Sequence, residues 1–305
     1  MSKTVLIYDK DADWFAAELA GTGYDILTAT SEAAAITLAP RAQILLALAP
    51  RITRELLSAM PHLEWVQALT SGTDTLTGLP PSVVVTSARG SHGPQMSELA
   101  ILLMLAAARR FPVMLRNQQA ARWDRWPQPL LQGKTVCLLG LGVIAEALAL
   151  RAAAFGMVVT GVSDGRSEVP GFARVYPRAA LPEAVAQADF LVVILPYTPQ
   201  THHIVGAAVL RALRPEAVMI NMSRGGCVDE AALLECLNRG GIACAALDVF
   251  AAEPLPADSP FWHHPRVIVT PHIGGMSDTY ASQILPLLIR NLTAYAADAP
   301  LENRL

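Results

Sequence analysis

Apolar and polar positions follow two periods that alternate along the chain. In the first third, short apolar runs predict strands, and the runs between the first four have helical spacing. The predicted strands are Val5–Asp9, Asp25–Ala29, Ile44–Ala49, Trp65–Leu69 and Val83–Ser87. The helices predicted between them are Asp13–Ala20, Ser31–Leu38 and Thr53–Met60. This alternation is typical of a parallel sheet covered by helices on both faces.

A second alternation begins at Thr135, after a long helix predicted over Gln95–Arg110 and loop signals at 122–129. Its predicted strands are Thr135–Leu139, Met157–Val162, Phe190–Ile194, Ala217–Asn221, Ala243–Leu247 and Val267–Thr270. Its predicted helices are Ala145–Ala154, Leu181–Ala186, Ala207–Ala212 and Glu230–Arg239. Six parallel strands with intervening helices make a complete dinucleotide-binding domain.

The last helical run, Asp278–Ala296, has no strand after it. We expect it to cross back and pack on the N-terminal lobe. The predicted fold class is α/β, with two Rossmann- or flavodoxin-like lobes built on parallel sheets. One lobe is expected to be discontinuous, from residues 1–96 plus 277–305, and residues 97–276 are expected to form the other.

Composition narrows the class of protein. Of the 305 residues, 52% are hydrophobic and 16% are charged, which indicates a large core and excludes disorder. A net charge of −3 with scattered arginines favours neither a nucleic-acid partner nor a membrane surface. The longest aliphatic run, Leu99–Ala108, falls well short of the roughly 20 residues that a bilayer span needs.

The cysteines and the N-terminus indicate a cytoplasmic protein. None of the cysteines has C-x-x-C spacing, so we expect reduced thiols and no metal site. The N-terminal residues have no signal-peptide pattern. The four cysteines are Cys137, Cys227, Cys236 and Cys244.

A glycine motif of the form G-x-G-x-x-A lies between a predicted strand and a predicted helix. Gly140 suits the tight turn, and Gly142 lets a pyrophosphate approach the backbone. Val143 and Ile144 then begin the helix, whose N-terminal N–H groups attract phosphate. This context favours a dinucleotide site over the alternative, a tight turn of an ordinary α/β domain.

Three polar residues follow three successive predicted strands, at the edge where parallel sheets bind ligands. Arg224 can grip a carboxylate with two hydrogen bonds, and His272 can donate a proton. Glu253, if it pairs with His272, would favour imidazolium and fix its tautomer. This set suits reduction of a 2-keto acid by a nicotinamide. The alternatives are a surface arginine, a turn residue and a structural histidine.

The glycine loop, Asn221–Glu230, Leu247–Pro254 and Thr270–Gly275 together resemble the motifs of the D-isomer-specific 2-hydroxyacid dehydrogenase family. The resemblance covers nearly the whole chain. It implies that Arg224, Glu253 and His272 are the catalytic set, that the lobe formed from both chain ends binds substrate, and that a cleft separates the lobes. It also implies a homodimer. The segments at 253–256, 259–262 and 274–278 are most similar to glyoxylate/hydroxypyruvate reductases.

Further residues acquire roles only through the resemblance. Ser71 and Gly72 would meet the substrate carboxylate, although a plain Ser-Gly turn is the alternative. Trp123 and Trp126 would pack at a subunit interface. The residues expected to contact the cofactor beyond the glycine loop are Leu195, Pro196, Thr201, Met222, Ser223, Asp248, Gly274 and Gly275.

The segment after the second strand of the dinucleotide lobe bears on the choice between NAD and NADP. NAD-binding proteins place an acidic residue about 20 residues past the glycines. Here Ser163 falls at that position, Asp164 follows, and Arg166 is near enough to meet a 2′-phosphate. Asp164 favours NAD, whereas Ser163 and Arg166 favour NADP. We expect NADP or NAD, with a slight preference for NADP.

The leading hypothesis is a cytoplasmic NAD(P)-dependent reductase that converts small 2-keto acids to D-2-hydroxy acids. Its expected partners are the keto or hydroxy acid and a second copy of the chain. The alternative is a dinucleotide-sensing binding protein, because transcriptional corepressors share this fold. Those proteins add peptide-binding surfaces and disordered tails, and neither feature is evident here.

Overall fold

The computed structural model of the protein describes residues 3–305. The strands, β1 to β12 in chain order, are Thr4–Tyr8, Asp25–Ala29, Ile44–Ala47, Trp65–Ala68, Val84–Thr86, Thr135–Leu139, Val158–Val162, Arg174–Tyr176, Phe190–Val193, Val218–Asn221, Cys244–Leu247 and Val267–Val269. The α-helices, α1 to α10, are Ala12–Glu18, Glu32–Leu38, Arg54–Ser58, Gly93–Ala108, Phe111–Gln119, Val143–Ala154, Leu181–Ala186, Ala207–Ala212, Glu230–Asn238 and Tyr280–Ala296.

The chain forms two compact units. Among the described residues, the first unit comprises 3–91 together with 277–305, and the second comprises 92–276. None of the helices within residues 3–305 combines the length and the apolar sequence that crossing a bilayer requires.

The first unit is built on a parallel sheet with the strand order β2-β1-β3-β4-β5. Its central strands β3 and β4 are buried along their whole length and are apolar except for Gln67, as is typical of a parallel sheet covered on both faces. Phe15 of α1 and Trp65 of β4 are buried on one face, where Ile284 and Leu288 of α10 join them. The last helix therefore packs on the N-terminal sheet, as expected.

A buried polar network joins two strands of the first unit to α10. The indole Nε1 of Trp65 donates to Thr86 Oγ1 at 2.9 Å, and that hydroxyl donates to Gln67 Oε1 at 2.7 Å. The side-chain amide of Asn291 in α10 donates to the same Gln67 oxygen at 2.9 Å. Each of these polar groups has a partner, which keeps the cost of burying them low.

The second unit is built on a parallel sheet with the strand order β12-β11-β10-β9-β6-β7-β8. Read from β8, the order contains the 3-2-1-4-5-6 arrangement of a Rossmann fold, followed by one more strand. The strand order reverses between β6 and β9, which is where open α/β sheets bind ligands.

Two elements of the second unit differ from the prediction. The six-strand prediction was wrong because it lacks β8, a three-residue edge strand that pairs with β7 alone and begins at Arg174. Helix α5 was also missed; it has only nine residues and none of its side chains is buried. The other predicted strands and helices are present, with ends that differ by at most two residues.

Candidate active site

The loop from β6 into α6 has the shape of a phosphate cradle. Gly140 has a φ of 104°, and a Cβ there would lie 2.8 Å from the Cα of Leu195 in the loop after β9. A Cβ at Gly142 would meet no described atom within 4 Å, so the space above the backbone is open. Within the described residues, no side chain caps the N-terminus of α6, which starts at Val143 and Ile144. The residues present therefore fit a pyrophosphate.

The neighbouring loop after β9 is closed by the buried side chain of Thr201. Its hydroxyl donates to the carbonyl oxygen of Pro196 at 2.8 Å and accepts from the backbone N–H of Thr198 at 2.7 Å. Thr201 thereby fixes the course of the loop that begins at Leu195. The loop and the glycine turn follow β9 and β6, the two strands at which the strand order reverses.

Ser163, Asp164 and Arg166 lie just after β7, and each contacts a neighbouring group. Ser163 Oγ accepts from the backbone N–H of Gly165 at 3.2 Å. Arg166 forms an ion pair with Glu146 in the first turn of α6 and donates to the carbonyl oxygen of Leu141 at 3.2 Å.

Asp164 is held by Arg178, a residue that the sequence pattern did not indicate. The backbone N–H of Arg178 donates to Asp164 Oδ1 at 2.7 Å, and Arg178 Nε lies 3.4 Å from Asp164 Oδ2. Arg178 follows the unpredicted strand β8, so its proximity to Asp164 depends on strand pairing that the apolar pattern does not reveal.

The loop that carries Arg224 is folded by the buried side chain of Asn221, at the end of β10. Its Nδ2 donates to the carbonyl oxygen of Arg224 at 3.0 Å, and its Oδ1 accepts from the backbone N–H and the hydroxyl of Ser223 at 3.2 and 3.0 Å. Met222 and Ser223 are buried beside it. The guanidinium of Arg224 donates to the Ser223 carbonyl oxygen at 2.7 Å.

Gly225 brings this loop against the one that follows β11. A Cβ at Gly225 would lie 1.9 Å from the carbonyl carbon of Phe250 and 2.1 Å from the backbone nitrogen of Ala251. Glu230 strengthens the contact, because its Oε1 accepts from the Ala251 N–H at 2.7 Å. No side chain fits at position 225, so the approach of the Arg224 loop to the loop of Glu253 requires glycine.

Asp248, at the end of β11, is an anchor for the segment that carries His272. Its carboxylate is buried and accepts from Thr270 Oγ1 at 2.6 Å and from the backbone N–H groups of Ile273 and Gly274 at 3.1 and 2.9 Å. Its carbonyl oxygen accepts from the His272 N–H at 2.8 Å. His272 has a φ of 52°, a left-handed conformation that these bonds maintain on both sides.

The imidazole of His272 pairs with Glu253. The distance from His272 Nδ1 to Glu253 Oε2 is 2.6 Å, and Glu253 Oε1 accepts from the Phe250 N–H at 2.8 Å. Both carboxylate oxygens are therefore engaged, and the ring orientation is fixed through Nδ1. Nε2 is then the nitrogen that can exchange a proton with a ligand.

Two glycines follow His272 and lie close to α4. A Cβ at Gly274 would lie 2.9 Å from both Asp248 Oδ2 and Met96 Sδ, and one at Gly275 would lie 3.2 Å from the ring of His92. The chain after His272 thus packs directly on the start of α4.

In the first unit, Ser71 and Gly72 follow β4 in a short hydrogen-bonded turn. Ser71 Oγ donates to the carbonyl oxygen of Ala88 at 3.4 Å, and Thr70 Oγ1 donates to that of Gly72 at 2.7 Å.

Comparison with known proteins agrees with this geometry. The family model "D-isomer specific 2-hydroxyacid dehydrogenase, NAD binding domain" matches residues 101–274. The chain is 31% identical to glyoxylate/hydroxypyruvate reductase B of Pectobacterium atrosepticum, over 99% of this chain and 98% of that protein.

Solved structures give the same result. A D-isomer specific 2-hydroxyacid dehydrogenase family protein from Aeromonas salmonicida matches with a TM-score of 0.93 and 33% identity, over 100% of this chain and 99% of that one. An NADPH-dependent glyoxylate/hydroxypyruvate reductase from Sinorhizobium meliloti, in complex with NADP and sulfate, matches with a TM-score of 0.84 and 28% identity, over 100% and 98%. The chain therefore belongs to the D-isomer specific 2-hydroxyacid dehydrogenase family, whose members are NAD(P)-dependent oxidoreductases.

Proposed function

We propose that this protein reduces small 2-keto acids of the glyoxylate and hydroxypyruvate type to D-2-hydroxy acids. The observation that carries the proposal is the 2.6 Å pairing of His272 with Glu253. The loop that bears Glu253 packs against the loop that bears Arg224. An imidazole held by a carboxylate and a neighbouring guanidinium are the groups that this reaction needs. The name of the Pectobacterium relative supports the choice of substrate.

Each group of the set has a distinct task in the proposed mechanism. The guanidinium of Arg224 binds the substrate carboxylate with two hydrogen bonds and places positive charge near the keto oxygen. His272 Nε2 donates the proton that the keto oxygen needs as it becomes a hydroxyl. Glu253 holds the ring and stabilises its positive charge. A nicotinamide, when bound, supplies the hydride.

We assign cofactor binding to the second unit and substrate binding to the first. The open backbone at Gly142 and the uncapped N-terminus of α6 support the first assignment. The turn at Ser71 and Gly72 is the substrate contact that we propose in the first unit. The proposed cofactor contacts are Gly140, Gly142, Val143, Ile144, Ser163, Asp164, Arg166, Leu195, Pro196, Thr201, Met222, Ser223, Asp248, Gly274 and Gly275. Asp248 contributes to this set through its carboxylate bonds to the Ile273 and Gly274 N–H groups.

We favour NADP over NAD as the cofactor. Ser163 stands where an acidic residue would accept from an unmodified ribose, and Arg166 brings positive charge within three residues of it. Comparing kcat/KM for NADPH and NADH on one keto acid tests the preference. A clear advantage of NADH would refute it.

Turnover decides between the enzyme and a dinucleotide sensor. We expect oxidation of NADPH or NADH in the presence of glyoxylate, hydroxypyruvate or pyruvate, with formation of the D-isomer where the product is chiral. Cofactor binding without turnover of any 2-keto acid would indicate the sensor instead.

We also propose that the protein is a cytoplasmic homodimer. Large apolar side chains that are exposed in the second unit support the dimer, and Trp123 is 90% exposed. The four free cysteines support a reducing compartment. Light scattering on the purified protein, with Phe111→Glu as the disruptive variant, tests the dimer. The apolar side chains proposed for the interface are Leu102, Phe111, Leu115, Trp123 and Leu130.

A further inference from the structure

We infer that Arg178 determines the preference for a 2′-phosphorylated cofactor, by neutralising Asp164 and by binding the phosphate itself. The inference rests on the dinucleotide site of the proposed function and assigns a residue that lies outside the glycine loop and the β7 segment. An acidic residue just after β7 opposes a 2′-phosphate, because the two negative charges repel. Asp164 is such a residue, and Arg178 is its partner.

Strand register places the two residues together. Val162 of β7 pairs with Tyr176 of β8, and the backbone N–H of Ser163 donates to the Tyr176 carbonyl oxygen at 3.0 Å. Asp164 and Arg178 each lie two residues beyond the end of their strand and face one another. The backbone N–H of Arg178 donates to Asp164 Oδ1 at 2.7 Å. The guanidinium contact at 3.4 Å then follows from a fixed backbone and not from a chance encounter of long side chains.

Two ion pairs beside the loop after β7 form a charged cluster: Arg166 with Glu146, and Arg178 with Asp164. A phosphate can displace the carboxylate from each arginine. The two pairs hold their cations beside the loop without net charge. These ion pairs are weak because they are solvent-exposed: Asp164 is 56% exposed and Arg178 is 39% exposed. A phosphate carries more charge than a carboxylate and can accept several hydrogen bonds, so it competes effectively for both arginines.

A 2′-hydroxyl has a different effect on the cluster. It brings no charge, so both ion pairs persist and Asp164 remains engaged by Arg178. Asp164, which favours NAD, is thereby paired with Arg178. When NADP binds, Arg178 can pair with the 2′-phosphate instead. Removing Arg178 should leave the charge of Asp164 uncompensated and reduce the preference for the 2′-phosphate.

Two small ligands test the inference without any reaction. AMP and adenosine 2′,5′-bisphosphate differ only in the 2′-phosphate, and calorimetry gives a Kd for each. In Arg178→Gln we expect binding of the bisphosphate to weaken by about tenfold, the loss of one charge-assisted contact, while binding of AMP changes by less than about twofold. Asp164→Asn should tighten the bisphosphate and leave AMP nearly unchanged.

Arg239→Gln is the matched control. Arg239 also forms an exposed ion pair, with Glu235 in α9, and its removal changes the net charge equally. We expect this control to bind both ligands as the wild type does. Arg178→Lys should retain part of the preference, because the charge remains and the planar fork is lost. Thermal unfolding of each variant verifies that the fold is intact.

The inference fails if Arg178→Gln weakens both ligands equally, if it leaves the bisphosphate unaffected, or if the wild type binds AMP as tightly as the bisphosphate. Glyoxylate turnover separates this failure from that of the proposed function. A wild type that turns over glyoxylate while Arg178→Gln keeps the wild-type ratio of the two Kd values refutes the inference alone. The expected shift in that ratio without turnover by the wild type refutes the proposed function alone.

Discussion

Glu253 bonds the His272 ring through one carboxylate oxygen, at 2.6 Å, and the backbone N–H of Phe250 through the other, at 2.8 Å. The carboxylate is therefore fixed by its own loop before it orients the ring. Replacing Glu253 with glutamine therefore separates the electrostatic from the steric contribution of this side chain. The amide can keep the bond to the Phe250 N–H but carries no charge.

Glu253→Gln should lower kcat and leave KM for the keto acid nearly unchanged, because the positive imidazolium loses its counter-charge while the binding groups remain. The loss should be smaller than the about 10⁴-fold found for a buried carboxylate that orients a catalytic histidine, since both side chains here are partly exposed. Steady-state kinetics at several pH values measure it. A variant with the kcat of the wild type at every pH would contradict the role.

His272→Ala should lower kcat by roughly 10²–10⁴-fold, the usual contribution of a general acid. The matched control is His62→Ala, because His62 is exposed in the loop before β4 of the first unit. We expect the control to retain full activity. If the folded His272→Ala protein kept a kcat near the control, another group would have to supply the proton.

Arg224→Ala should raise KM for glyoxylate strongly and lower kcat, because the carboxylate anchor and its charge are both lost. With glycolaldehyde, which has no carboxylate, the same variant should lose much less activity relative to the wild type. An equal loss with both substrates would show that Arg224 does not bind the carboxylate. Arg239→Ala serves as the control for a lost surface guanidinium.

Thr270→Val should reduce the free energy of unfolding by about 1–3 kcal/mol, because the buried carboxylate of Asp248 loses a charge-assisted donor at 2.6 Å. Denaturant unfolding followed by circular dichroism measures the change. Thr293→Val is the control: its hydroxyl donates to the Ile289 carbonyl oxygen on an exposed face of α10, so we expect a change within about 0.5 kcal/mol. Equal losses in the two variants would argue against the anchor.

The thiols of Cys137 and Cys244 should be unreactive in the native protein, because the first is buried and the second is partly buried. Burial raises the pKa of Cys137 to about 11 and that of Cys244 to about 12, from the ordinary value of 9.0. At pH 8 both therefore remain protonated, and a disulfide reagent should modify them only after denaturation. Rapid labelling of either thiol in the native state, identified by mass spectrometry, would contradict this expectation.

The same shifts fix the sign of a stability change at high pH. Because the folded-state pKa values lie above the unfolded value, the contribution of these thiols to stability is complete below about pH 9. It should decline as the pH rises from there toward 12. Replacing Cys244 with alanine should reduce the part of the decline that this thiol causes.

Local pattern was sufficient to predict most of the fold and to nominate the candidate catalytic residues, whose roles remain predictions. A mostly apolar run such as that of β6 predicts a buried strand. The polar residues that follow the apolar runs of β10, β11 and β12 are evident from the sequence. The prediction failed where an element has no such pattern. Strand β8 is too short and too polar, and α5 buries no side chain.

Other features depend on contacts between distant parts of the chain. The demand for glycine at position 225 arises from the backbone at Phe250, and the contact of Arg178 with Asp164 arises from the pairing of β7 with β8. The structure also gives Asp248 a role as an anchor, which no local pattern distinguishes from a role at the cofactor.

The strand order has a consequence for engineering. The residues that we propose to select the cofactor follow β7 and β8, and those that we propose for proton transfer follow β11 and β12. Strands β6, β9 and β10 lie between β7 and β11. At about 4.8 Å per strand, roughly 19 Å separates the two clusters. Effects of substitutions at that distance generally sum without coupling. Coenzyme choice can therefore be redesigned at one end of the sheet while the acid–base chemistry at the other end keeps its rate.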